Sequence, residues 1–476
     1  MQLAEGWLRN GEVCCRWTHR LFPLLILGVL SLGLTGDAPE PEQRVVGVPY
    51  GNEILVPSNQ LLAPAGQRVQ FRGRPVDLAL SPTGNTVAVL LPNLVQLFSP
   101  SGELLRSIRL RIASLGGLAF TPDGAWVASS QANGAEGGDS IALADVSDTV
   151  GVRYLPLPLN SVPAGLASDA SGENLYVALN RLNAVGKMDL RRGELVQTVS
   201  VGVAPFGVAI TPQGDRLFVT NWGGQHPTAA DPRGISSGTA TLVDARGIAS
   251  SGTVSVIDPA NFNVIAEIPV GLHPSGIQIR PDGGLAAIAN ANSDSVTLLD
   301  TRSLQVVDTI PIPAFPSGYF GSSPATVAFS PNGNWLYVAC AGNNAVAVLE
   351  RDGFSYALRG FVPTDWYPVA LAVGRLRPDA ETVYVANSKG IGSRSGVPGR
   401  YSVLAATGTI NIFPGGTASI TDWDSISFVN DPFRNAVTPE NSPQNLRALG
   451  IEHVFLIIKE NRTYDQVLGD LGRGNG

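Results

Sequence analysis

ATVAFSPNGNWLYVAC, residues Ala325 to Cys340, sets two short apolar runs on either side of a Ser-Pro-Asn-Gly turn. Both runs have the β-branched and aromatic bias of strands, and Pro followed by Asn and Gly suits a tight reversal. The pattern recurs along the chain. The turn reads SPTG at Ser81, TPDG at Thr121, DASG at Asp169, TPQG at Thr211 and RPDG at Arg280, with a degenerate RPDA at Arg377. A third run follows the second, as in GTVSVID (Gly252–Asp258) and DSVTLLD (Asp294–Asp300). After another short turn comes a fourth, as in NVIAEIPVG (Asn263–Gly271). Four antiparallel strands per unit, repeated seven times, predict an all-β fold, a seven-bladed β-propeller.

The closure of the ring is legible too. YPVALAV, TVYVANS and TGTINIFP supply three strands of the seventh unit, and GGTASITDW after them has no strand character. The missing outer strand is assigned to QRVQF, Gln67 to Phe71, just ahead of the first unit. An N-terminal strand completing the last blade joins the ends and leaves no open sheet edge. The repeats NLYVALN, RLFVTNW and TVYVANS resemble the YVTN-type β-propeller family over residues 45–416. That resemblance implies a fold and not a chemistry, because the motif residues build strands and turns.

Propeller topology places the loops between second and third strands on the same face as the loops between blades. Two such loops are long: Trp222–Ser250 and Lys389–Ala406. The inter-blade loops of that face carry Phe206, His273, Trp366 and Tyr367. With Trp222 and His226 they predict a polar and aromatic surface near the central channel, suited to a protein or small-molecule ligand. Covering the channel mouth or packing on a neighbouring domain is the alternative. Only His226, His273 and His453 lie beyond residue 36, too few for a multi-histidine metal centre, so no cofactor is expected for the propeller.

The chain of 476 residues holds 54 Gly, 35 Pro and only 15% charged residues, which favours frequent turns over long surface helices. A net charge of −7 argues against nucleic acid as partner, since tracking phosphates needs clustered Lys and Arg. Arg9, Arg16 and Arg20 precede the apolar run Leu21–Leu34, and an acidic Pro-rich stretch follows. These are the parts of a secretory signal over residues 1–36. Export to a periplasmic or extracellular location is expected, with an uncleaved N-terminal anchor as the alternative and no other stable membrane span. Cys14 and Cys15 fall in the leader, and Cys340 is expected to be a buried structural thiol.

After Pro414 the repeat stops. Residues 417–449 read as linker, with one helical segment over Ser419–Val429, and 450–476 begin something new. In IEHVFLIIKENRTYD, Val454–Ile458 has the unbroken apolar character of a buried parallel strand, with Glu460, Asn461, Arg462, Thr463 and Asp465 at its carboxyl end. The stretch IKENRTYDQVLGDLGRGNG resembles the opening motif of the phosphoesterase family of bacterial phospholipases C and acid phosphatases, in the alkaline-phosphatase superfamily. A YVTN-type propeller ahead of such a domain is a known bifunctional arrangement that this chain resembles. The resemblance implies a phosphoester substrate and a divalent metal ion in the complete catalytic domain. Glu460 and Asn461 match its metal ligands, and the nucleophile is expected from later sequence. Two ligands fall short of the three or more usual at a catalytic metal, so this chain alone is expected to be inactive. The competing readings are a propeller that is itself a lactonase-like hydrolase, and a surface or envelope repeat protein.

Overall fold

A computed structural model describes residues 48–56, 61–132, 138–147, 150–236, 238–313, 321–377, 380–392 and 406–420. The expected leader, most of the Lys389–Ala406 connection, the expected linker beyond Ile420 and the Glu460–Asn461 motif lie outside these residues. Within them stand seven four-stranded antiparallel sheets. We number these blades I to VII by their innermost strands: Asp77–Leu80, Ala113–Phe120, Pro163–Ser168, Val203–Ile210, Pro274–Ile279, Pro324–Phe329 and Trp366–Arg377. Each innermost strand packs on that of the next blade, and the seventh packs on the first. The chain is a closed β-propeller.

The stretch Trp335–Cys340 shows why these strands read as nearly continuous apolar runs. Leu336, Val338 and Cys340 face blade V. Tyr337 and Ala339 face blade VII. Every central strand is sandwiched between two neighbouring blades, so both of its faces are buried. Among the described residues the apolar side chains accordingly form one cluster at each of the seven blade interfaces. Each fully buried Val, Leu or Phe side chain contributes about 1.5–3 kcal/mol. Cys340 is completely buried, as expected, and that burial pushes its thiol pKa up to about 12.

The recurrent turn is held locally. In blade VI the Gly333 N–H donates to the Ser330 carbonyl at 2.8 Å, and the Trp335 N–H donates to Ser330 Oγ at 2.9 Å. Gly333 sits at φ 70°, a left-handed position where glycine costs least.

Ring closure follows the expected scheme. Gln67–Arg72 pairs antiparallel with Thr407–Pro414 as the outer strand of blade VII, Val69 opposite Ile410 and Gln70 opposite Thr409. A buried ion pair locks this strand: Arg68 Nη2 lies 2.7 Å from Asp365 Oδ1, with side chains 9% and 0% exposed.

Two features have no clear signal in the sequence. Residues ahead of the ring form a small sheet of Pro49–Tyr50, Glu53–Leu55 and Leu61–Leu62. The long connection of blade IV contains its own hairpin, Arg233–Ser236 with Thr239–Leu242. Of the helix expected over Ser419–Val429, the described part is the end of a short 3-10 turn, Gly416–Ser419. Among the described residues no helix is long and apolar enough to cross a membrane.

Candidate functional site

One face of the ring is built from strained residues. Val162, Ala204, His273, Ser323 and Tyr367 each stand at the start of an innermost strand, each precedes a proline, and each has φ between 46° and 67°. A non-glycine residue held there costs about 1–3 kcal/mol, so something must hold it. In four of the five, an Asp or Asn from the second-to-third connection of the preceding blade does so. Asp139 Oδ2 accepts the Val162 N–H at 2.8 Å, and Asn183 Oδ1 accepts the Ala204 N–H at 2.9 Å. Asp294 Oδ1 accepts the Ser323 N–H at 2.7 Å, and Asn344 Oδ1 accepts the Tyr367 N–H at 2.9 Å.

His273 is the fifth case. The preceding connection there is the long insertion of blade IV, and aromatic stacking takes the place of the clamp. The Trp222 ring lies between Phe206 and His273, with centroids 4.2 Å and 4.6 Å away and planes within 21° and 18°. His273 Nδ1 lies 3.3 Å from the Ser275 hydroxyl. Burial holds its imidazole below the ordinary range, so the ring is neutral at pH 7. The stack borders a cleft of ≈ 400 Å³ lined by Leu115, Arg181, Trp222, Thr239, Thr241 and His273, among others. The insertion hairpin supplies one wall through Ser236, Thr239 and Thr241.

The central channel opens on the other face. Its ≈ 470 Å³ is lined by residues of all seven innermost strands, among them Asp77. The Asp77 carboxyl accepts the Leu78 N–H and the Gly117 N–H, both at 2.8 Å. Enclosure by the surrounding strands outweighs these bonds and pushes its pKa up to about 6.

The surface residues expected from sequence therefore divide. Trp222 and His273 meet in one cleft. Trp222 belongs to the strand Leu217–Gly224 rather than to the loop after it, because pairing continues as far as Val203 opposite Gly224. His226 does not line the cleft; its Nε2 lies 2.9 Å from the Val201 carbonyl oxygen and braces the turn into blade IV. Trp366 and Tyr367 stand apart on blade VII, where the Lys389 ammonium lies 4.8 Å and 4.5 Å from their ring centres. Trp366 also packs on Ile54, Val56, Leu62 and Ile391, so it anchors the small N-terminal sheet. Sequence carries no signal for Arg181, and for Thr241 only its place in the long Trp222–Ser250 connection.

No family model matches this sequence, and no curated protein matches it. Among solved structures the chain is similar to Kuenenia stuttgartiensis hydrazine synthase, with a TM-score of 0.55 and 19% identity over 72% of this chain and 96% of that chain. At that identity the likeness speaks for the fold alone.

Proposed function

We propose that this propeller is the exported binding or docking module of a metal-dependent phosphoesterase, and that it takes its ligand on the face bearing the Trp222 stack. One observation carries the binding half. A ≈ 400 Å³ cleft lined by Trp222 and His273, with Phe206 stacked behind Trp222, sits on rigid blades and is walled by an insertion that the other described blade connections lack. Pockets of this size, largely apolar with a few polar groups, are where small ligands lodge. The phosphoesterase half rests on the sequence motif in which Glu460 and Asn461 would hold a divalent cation, and export rests on the leader.

A ligand-observed NMR screen of small aromatic fragments against the purified chain tests the binding half. Hits are expected to vanish with Trp222→Ala and to persist with Tyr367→Ala, both variants retaining the circular dichroism of the parent. Hits indifferent to Trp222, or none at all, would move the binding surface elsewhere.

A further inference from the structure

The cleft borders polar atoms that no neighbour satisfies. Two enclosed polar atoms there, Trp222 Nε1 and Thr241 Oγ1, have no hydrogen-bond partner among the described residues. Thr241 is only 6% exposed and lines the cleft. Leaving such a group unpaired costs about 1–3 kcal/mol, which a suitable ligand atom recovers. Trp222 has both ring faces covered, by Phe206 and His273, so only its edge remains for a ligand.

Charge points the same way. Arg181 is exposed at the rim, and among the described residues it makes no ion pair. Among the described residues no Asp or Glu lines the cleft. The neighbouring amides are already engaged: Asn180 Nδ2 donates to the Pro205 carbonyl at 3.0 Å, and Asn183 Oδ1 accepts from Ala204. Leu115, Val162 and Val203 complete an apolar wall. A cation at the mouth, an indole N–H and a hydroxyl within, and an apolar lining suit an oxyanion on an apolar body.

We infer that this cleft binds a small organic anion, a carboxylate or phosphate head on a ring-sized apolar group. Arg181 pairs with the head, and Trp222 Nε1 and Thr241 Oγ1 donate to its oxygens. The inference rests on the proposed binding face and goes further by naming the ligand chemistry.

Calorimetric titration of the intact chain with phenyl phosphate, phenylacetate and neutral benzyl alcohol decides it. At least one anion is expected to bind about tenfold or more tightly than benzyl alcohol, and the ratio between the two anions tells a phosphate head from a carboxylate. Arg181→Ala should remove that preference while leaving benzyl alcohol unchanged. Thr241→Val should weaken the anion several-fold with the thermal midpoint preserved. Equal affinity for the neutral probe, or anion binding indifferent to Arg181→Ala, overturns the inference while Trp222-dependent fragment binding keeps the face. If neither probes nor fragments depend on Trp222, both readings fall.

Discussion

Replacing Asp365 by Ala is expected to cost about 3–5 kcal/mol of folding stability, measured by reversible denaturant unfolding. Arg68 Nε donates to both Asp365 oxygens, at 3.0 Å and 2.9 Å, and Nη2 donates to Oδ1 at 2.7 Å. Asn411 Nδ2 donates to Asp365 Oδ2 at 3.0 Å. Removing the carboxylate leaves a guanidinium that is 9% exposed without its counter-charge, and this drives the large effect. Replacing both partners by apolar residues of similar size, Arg68→Met with Asp365→Leu, should recover most of the loss. A single-variant loss below about 1 kcal/mol, the range of an exposed ion pair, would mean that the pair is solvated and does not lock the ring.

The second large effect belongs to Asp77. Its carboxyl titrates at about 6 in the folded channel, against an ordinary value of 3.8. Between those values the folded chain binds a proton that the unfolded chain has released. Stability from this group is therefore greatest below pH 4 and is lost as pH rises through 6. At about 1.36 kcal/mol per pH unit, the full loss is about 3 kcal/mol. Other carboxylates oppose the trend, because hydrogen bonds hold Asp123, Asp282 and Asp300 below their usual range. The difference between parent and Asp77→Asn isolates the group from that background. That difference should change by about 2.4 kcal/mol between pH 4 and pH 7, the rest of the loss lying below pH 4. A difference flat across this range would place the carboxyl in contact with bulk water.

Much of the ring is legible in the sequence, for a physical reason. Each blade repeats one solution, so the turn around Ser330 and the paired runs beside it are reinforced by similar stretches elsewhere in the chain. The closing strand is legible because the seventh unit visibly lacks a fourth. The small sheet of Pro49–Leu62 is not, since strands of two or three residues have no period to detect. Gly223 and Gly224 make Trp222 look like the start of a loop, yet tertiary pairing with Val203 carries the strand through them. His226 and Trp366 look like surface binding residues, but their partners, Val201 and the Ile54 cluster, come from other turns of the chain. Arg181 and Thr241 gain meaning only from a cleft that separate segments of the chain enclose.

Both faces of the molecule depend on the closure of the ring by its N-terminal strand. Hydrogen–deuterium exchange, followed by mass spectrometry across residues 67–72 and 407–414, tests that closure most directly. The pairing of Val69 with Ile410 and Gln70 with Thr409 predicts that both segments are protected together, as slowly exchanging as the inner strands of the blades. Rapid exchange of 67–72 beside protected blades would contradict it, leaving blade VII with three strands and the ring open.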